Sequence, residues 1–342
     1  MQSNGLREAL RVLHEAHSRQ IELFLDNGKL KYKVKSGMAV DPVFVQEIAR
    51  YKNEIRNLLE TSVSGPSLPN GVQLLSKSGA DLPWFIFPGT PGFVDGYGEL
   101  AQAIGSSTVY GLRVTGLAEG EEPLPSVEEN AALAVRGITQ LQPEGPYRFI
   151  GHSLGAHVAF EAAKQLEVRG KRVLLVVILD TSTRLKSTVQ LRSGKTVEDQ
   201  VLDTMAFFSS HYGLVDSINW SDELRAVFKN NLAKNRILLA LEFIQARIQN
   251  REDWRFMLRV LGTLITQSLT YYIPEGKINA ELLIVKAEDE NWEHPDRYLG
   301  WEAHTTELSA TTTPGGHLTI LNDSNARALG NLINTHTLSS VQ

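Results

Sequence analysis

The sequence predicts an α/β fold preceded by a small α/β unit, and three observations carry that expectation. Strand and helix signals alternate from about residue 72 to residue 337. Within that stretch, Val173-Leu174-Leu175-Val176-Val177-Ile178-Leu179 is apolar on both faces, as a strand in the middle of a parallel sheet must be. Just before it, the glycine-flanked pentapeptide Gly151-His152-Ser153-Leu154-Gly155 separates a short strand pattern from a helical one. Strand and helix in turn imply a parallel sheet with right-handed crossovers.

Taken in order, residues 1–60 form the first unit. Leu6, Leu10 and Leu13, with Ala9 and Val12 near them, recur at helical spacing. Ile21, Leu23 and Leu25 alternate with Glu22 and Phe24 as in a strand. Asn27-Gly28 is a strong hairpin signal, and a second strand runs over 29–35. Asp41-Pro42 starts a helix, with Asp as cap and Pro in the first turn. That helix continues to about residue 60, with Phe44, Ile48, Ile55 and Leu59 near one face and a break along the way. The order is α-β-β-α. Residues 61–71 (Thr-Ser-Val-Ser-Gly-Pro-Ser-Leu-Pro-Asn-Gly) have no apolar period and read as a linker.

The second unit spans 72–342. Its strands are expected at 72–76, 84–87, 109–112, 148–151, 173–179 and 281–286, with a short one near 305–308. Helices are expected at about 97–104, 126–141, 155–169 and 322–335. Between about 185 and 270 the pattern becomes helix after helix, which reads as an insertion able to act as a lid.

Bulk composition narrows the class. The net charge is −5, which argues against nucleic acid as a general partner, and no stretch nears the ~18 apolar residues a membrane span needs. The first residues lack the basic and apolar blocks of a signal peptide. There is no cysteine, so disulfide and thiolate chemistry are excluded and a cytoplasmic location is expected. The nine histidines form no zinc-ligand spacing, so no metal is expected.

The strand–Gly-x-Ser-x-Gly–helix context is that of the nucleophile elbow of an α/β-hydrolase, which makes Ser153 the candidate nucleophile. A serine hydroxyl needs a base, and the base an orienting acid, in the chain order Ser, Asp, His. Asp180 directly ends the buried strand 173–179, where sites on open sheets form; Asp289, after the strand 281–286, competes with it. His317, in Pro314-Gly315-Gly316-His317-Leu318, is the late loop histidine; His294 and His304 lack a glycine-rich approach. His152 and His157, around the elbow, read as packing or site-wall residues. The oxyanion hole needs two backbone N–H groups. One belongs to Leu154; the other comes from Pro88-Gly89-Thr90-Pro91-Gly92, where Pro91 has no N–H and Thr90 is preferred over Gly89.

Phe87-Pro88-Gly89-Thr90-Pro91-Gly92, the elbow, Val177-Ile178-Leu179-Asp180 and Gly315-Gly316-His317 together resemble the thioesterase domains that release products from nonribosomal peptide and polyketide synthetases. The resemblance covers about residues 80–335. It implies an α/β-hydrolase fold with a lid at 185–270, and it implies Asp180 rather than Asp289 as the acid. The first unit resembles the TubC-type N-terminal docking domains of such assembly lines, through Leu23-Phe24-Leu25-Asp26-Asn27-Gly28-Lys29-Leu30 and Tyr51-Lys52-Asn53-Glu54-Ile55. That resemblance implies a strand presented to the C-terminal tail of an upstream protein, often by a dimer.

Period two places Lys29, Lys31, Lys33 and Lys35 on one strand face. Ten Lys/Arg against eight Asp/Glu make residues 1–60 about +2 and the remainder about −7. An acidic tail adding itself as a strand suits both the charge and the open edge, although edge lysines also serve to block pairing. The chain carries no phosphopantetheine attachment motif, so no cofactor is expected on it; the substrate is expected as a phosphopantetheine thioester on a separate carrier protein. The leading expectation is therefore a chain-releasing thioesterase that acts in trans, giving hydrolysis, cyclisation or transfer. The alternatives are an editing thioesterase that clears misprimed carriers and an inactive docking scaffold.

Overall fold

The computed structural model describes residues 9, 12, 16, 21–26, 29–34, 40–56, 68–79, 81–183, 251–270, 272–289 and 297–339. The chain divides into two compact units, Met1–Leu68 and Pro69–Gln342.

In the first unit, strands β1 (Ile21–Asp26) and β2 (Lys29–Val34) pair antiparallel. The register ends with Asp26 opposite Lys29, so only Asn27 and Gly28, outside the described residues, separate the strands. Helix α1 (Pro42–Arg50) is capped by Asp41, whose carboxylate accepts the Val43 N–H at 2.9 Å. The expected break falls at Tyr51, after which residues 52–56 are again helical. Phe44, Ile48 and Ile55 are buried against Ile21 and the helical residues Ala9, Val12 and Ala16. Leu6, Leu10, Leu13, Lys35 and Leu59 lie outside the described residues. The lysine face meets β1 across the ladder. Register places Glu22 opposite Lys33 and Asp26 opposite Lys29, and Lys31 forms an ion pair with Asp26.

The second unit is built on a seven-stranded sheet. Its strands are β3 (Val72–Ser76), β4 (Asp81–Phe87), β5 (Ser107–Leu112), β6 (Tyr147–His152), β7 (Val173–Leu179), β8 (Glu281–Ala287) and β9 (Leu308–Thr313), in the spatial order β3-β5-β4-β6-β7-β8-β9. Every neighbouring pair is parallel except β3 with β5. The outer strand therefore departs from the all-parallel expectation, and β9 begins at Leu308, where 305–308 was expected to lie. Thr305 instead closes a turn, its hydroxyl donating to Ala280 O at 2.9 Å.

Alternation along each strand feeds two cores. Phe85, Phe87, Phe149, Val176, Ile178, Leu282 and Ile284 face helices α3 (Val127–Leu141) and α4 (Leu154–Val168). Trp84, Ile86, Ile150, Val177, Leu179, Leu283 and Val285 face α2 (Gly98–Ile104) and α6 (Asp323–Ser339). A parallel sheet covered on both faces needs apolar residues at every position, which is why β6 and β7 are buried almost throughout. Helix α3 starts with a capping box. Ser126 Oγ accepts the Glu129 N–H at 3.1 Å and donates to Glu129 Oε2 at 2.9 Å.

Most of the 185–270 block lies outside the described residues. Its last helix, α5 (Arg251–Leu269), packs over the loops that follow β4 and β5. The Phe256 ring lies tilted against that of Phe93 with centroids 5.7 Å apart, Arg259 Nε donates to Leu117 O at 3.2 Å, and Thr270 Oγ1 donates to Pro125 O at 3.1 Å. Among the described residues, no helix is long and apolar enough to cross a membrane.

Candidate active site

The carboxyl ends of β4, β6 and β7 bring the expected residues together. Strand β6 ends at His152, and the next residue, Ser153, turns the chain into α4 with φ 54° and ψ −128°. A positive φ on a non-glycine residue is strained by about 1–3 kcal/mol and persists only where the surroundings enforce it. Here the flanking glycines explain how the turn fits. A Cβ on Gly155 would lie 2.2 Å from Phe87 O, and one on Gly151 would lie 2.5 Å from Ala156 Cα. The helix can start that close to the sheet only because both side chains are missing. Ser153 occupies the cap position of α4, so the Leu154 N–H is one of the first-turn donors that a helix leaves without an internal partner.

Asp180 follows β7 with φ 47°, is fully buried, and is held at its backbone by an N–H bond to Val285 O at 2.8 Å. Short polar residues tolerate this left-handed conformation better than others do. Its Oδ1 accepts the Ala287 N–H at 2.9 Å, and its Oδ2 lies 2.8 Å from His317 Nδ1. The loop beyond it is pinned by Trp301, whose Nε1 donates to Thr181 O at 2.7 Å. A buried carboxylate on Nδ1 fixes the imidazole tautomer and leaves Nε2 with its lone pair. Asp289, the competing acid, donates its backbone N–H to Gly315 O at 3.0 Å and so anchors the glycine loop that carries His317. His304 packs on Phe160 and Trp301, and its Nδ1 bonds Gly276 O at 3.0 Å. His294 is outside the described residues.

The loop after β4 lies against the elbow. A Cβ on Gly89 would be 3.0 Å from Ser153 Cβ. The Gly89 N–H donates to Tyr97 Oη at 2.8 Å, which removes it from the choice between Gly89 and Thr90 as an outward-facing donor. Among the described residues, no acceptor takes the Thr90 N–H. From the other side, the buried Gln267 of α5 donates Nε2 to Pro91 O at 3.2 Å.

Of two further groups at the site, the sequence reads one, His152, as a packing or site-wall residue and does not single out the other, Tyr97. His152 is buried, its ring centroid 4.9 Å from that of His317, and burial holds its pKa down at about 3, with the neighbouring His317 charge acting in the same direction. Tyr97, from the short 3-10 turn Asp95–Tyr97, bonds His152 Nδ1 at 3.1 Å. Tyr97 carries no motif signal, because its partner lies 55 positions away. His157, read as a packing or site-wall residue, packs in the interior on the elbow helix. It is buried beside Tyr272 and Trp301, and that burial lowers its pKa to about 4.

A mostly parallel sheet with helices on both faces, a strained serine between β6 and α4, and a carboxylate–imidazole pair at the ends of later strands define an α/β-hydrolase. The chain belongs to the thioesterase-domain family, whose model matches residues 83–337. Its sequence relatives are synthetases of the nonribosomal peptide and polyketide type. It is 38% identical over 128 residues to nonribosomal peptide synthetase pngA of Aspergillus terreus (37% of this chain, 13% of that protein). It is 34% identical over 123 residues to polyketide synthase PksR of Bacillus subtilis (36% of this chain, 5% of that protein). The matches thus span only a small part of these relatives. Among solved structures, the wild-type Vlm2 thioesterase domain superposes with a TM-score of 0.56 at 24% identity, covering 78% of this chain and 97% of that one. The thioesterase domain that cyclises the lipopeptide surfactin gives 0.52 at 19%, covering 78% and 96%.

Proposed function

We propose that this protein releases acyl or peptidyl chains from a carrier protein through an acyl-serine intermediate on Ser153. The observation that carries the proposal is the 2.8 Å contact of buried Asp180 with His317 Nδ1, at the same sheet edge as the strained Ser153. In this reading His317 Nε2 takes the Ser153 Oγ proton as the oxygen attacks the thioester carbonyl. The tetrahedral oxyanion is stabilised by the N–H groups of Leu154 and Thr90. The C–S bond then breaks, and the imidazolium returns the proton to the departing phosphopantetheine thiolate. A second nucleophile, activated by the same imidazole, cleaves the acyl-serine. Water gives hydrolysis, a group on the chain gives cyclisation, and an external alcohol or amine gives transfer. Exclusion of water from the site selects among them.

The first unit is proposed to recruit the carrier. β2 is paired on one side within its two-stranded sheet, and Lys29, Lys31 and Lys33 are exposed on it. An acidic segment C-terminal to a carrier domain could add as a third strand, and tethering would raise the local carrier concentration. The ion pair of Asp26 with Lys31 makes this charge attraction weaker than the lysine count alone suggests. A homodimer through the same unit remains part of the proposal.

The direct test is single-turnover release from an acylated carrier. Ser153→Ala should lose at least roughly 10³-fold in acyl release while keeping its melting temperature. Release at the wild-type rate by that variant would remove Ser153 as the nucleophile.

A further inference from the structure

Three hydrogen bonds connect the oxyanion loop to the base loop through the residue that precedes Ser153. The Gly89 N–H donates to Tyr97 Oη at 2.8 Å. Tyr97 Oη lies 3.1 Å from His152 Nδ1. His152 Nε2 lies 3.0 Å from the backbone oxygen of His317. The last partner decides the direction of the chain. A carbonyl oxygen can only accept, so His152 carries its proton on Nε2. In the neutral ring Nδ1 is then an acceptor, and the Tyr97 hydroxyl must be its donor. That leaves the Tyr97 oxygen lone pairs for the Gly89 N–H. Each member has one role, and the order runs one way from residue 89 to residue 317.

The surroundings favour this single arrangement. Tyr97 and His152 are 4% and 7% exposed, so a protonated His152 would be a buried cation beside the ring that must accept a proton during the reaction. Burial raises the Tyr97 hydroxyl well above its ordinary range, which keeps it a donor. The chain has two consequences for the proposed chemistry. It occupies the Gly89 N–H, which leaves the N–H of Thr90 as the donor this loop can offer an oxyanion. It also holds the His317 backbone while Asp180 holds the ring, so the residue is fixed at both its main chain and its Nδ1.

We propose that Tyr97 and His152 are positioning residues that hold the oxyanion loop and the His317 loop in register across Ser153. The inference rests on the reading of Ser153 and His317 given above. A misplacement of reacting groups by about 1 Å can cost on the order of 100-fold in rate. Tyr97→Phe keeps the ring but breaks the bonds to Gly89 and His152, and His152→Leu breaks the bonds to Tyr97 and His317.

The test combines kinetics with a spectroscopic signature. In acyl release from an acylated carrier, Tyr97→Phe and His152→Leu should each lower kcat by roughly 10-fold or more with KM within about twofold. His152→Gln, whose amide can still donate to His317 O, should recover part of that loss. Nitrogen chemical shifts of the wild-type histidines should show His152 neutral and protonated on Nε2 at pH 6, the state that the direction of the chain requires. Wild-type kcat in both Tyr97→Phe and His152→Leu, alongside an inactive Ser153→Ala, would overturn the relay and leave the serine reading intact. Activity in Ser153→Ala would instead remove the reading on which the relay rests. If a variant fails to fold, the wild-type spectrum still decides: a His152 protonated on Nδ1, or charged at pH 6, overturns the proposal.

Discussion

In Pro69–Gln342 the Asp180 carboxylate and the His152 imidazole beside the elbow are out of water, and each is tied to named partners. Asp180 is fully buried with both carboxylate oxygens engaged, and His152 is bonded through both ring nitrogens. In Met1–Leu68 the charges of β2 lie on the surface, and its Lys31 finds a partner in Asp26, with side chains about half exposed. The contrast separates two uses of charge. A buried group is worth much because water cannot replace its partner, so its loss is large and insensitive to salt. An exposed lysine steers encounters weakly and is screened.

The sharpest way to break this contrast is Asp180→Asn. It keeps the shape but cannot hold His317 in the tautomer that leaves Nε2 free, and we expect kcat to fall by roughly 10³–10⁴ with little change on raising salt. A smaller effect is expected from Gln267→Leu. It removes the α5 donor to Pro91 O without touching the sheet, and release should slow by about tenfold at unchanged KM, because only the loop carrying Thr90 loses a restraint.

The pH dependence of stability tests the buried side of this contrast. The folded pKa of His157 is lowered to about 4 from an ordinary 6.5, so the unfolded chain binds the extra proton first as pH falls. Stability is therefore full above about pH 6.5 and declines as pH drops toward 4, with His157 contributing a slope of up to about 1.4 kcal/mol per pH unit. His152 acts in the same direction down to about pH 3. Urea unfolding of His157→Leu at pH 7, 6 and 5 should show a flatter acid limb than the wild type. The least effect should come from Lys29→Ser, Lys31→Ser and Lys33→Ser combined. Carrier affinity should fall several-fold at low salt, the difference should shrink at high salt, and release from a small acyl-pantetheine thioester should be unchanged.

How much of this was legible in the sequence depended on the range of the interaction that fixes each element. β3 and β7 have the expected bounds, 72–76 and 173–179, because local patterning and burial specify them together. The direction of β3 was not legible. Its antiparallel pairing with β5 depends on which edge it reaches, and no local pattern encodes that. Ser153 was visible because glycines must flank so tight a turn. Asp180 was left in competition with Asp289 on the residues alone, since both end buried strands. What distinguishes them is a contact across 137 positions. Tyr97 was invisible for the same reason. His152 was seen but underrated, because its importance lies in two partners that only the folded sheet brings to it.

The central claim is that a single serine carries the acyl chain during release. Peptide mapping by mass spectrometry, after rapid acid quench of the protein with an acyl-pantetheine thioester, examines it directly. We expect the acyl mass on the peptide containing Ser153, formed at a rate that accounts for turnover and absent in Ser153→Ala. Product formation with no covalent adduct, or with the adduct on another residue, would contradict it.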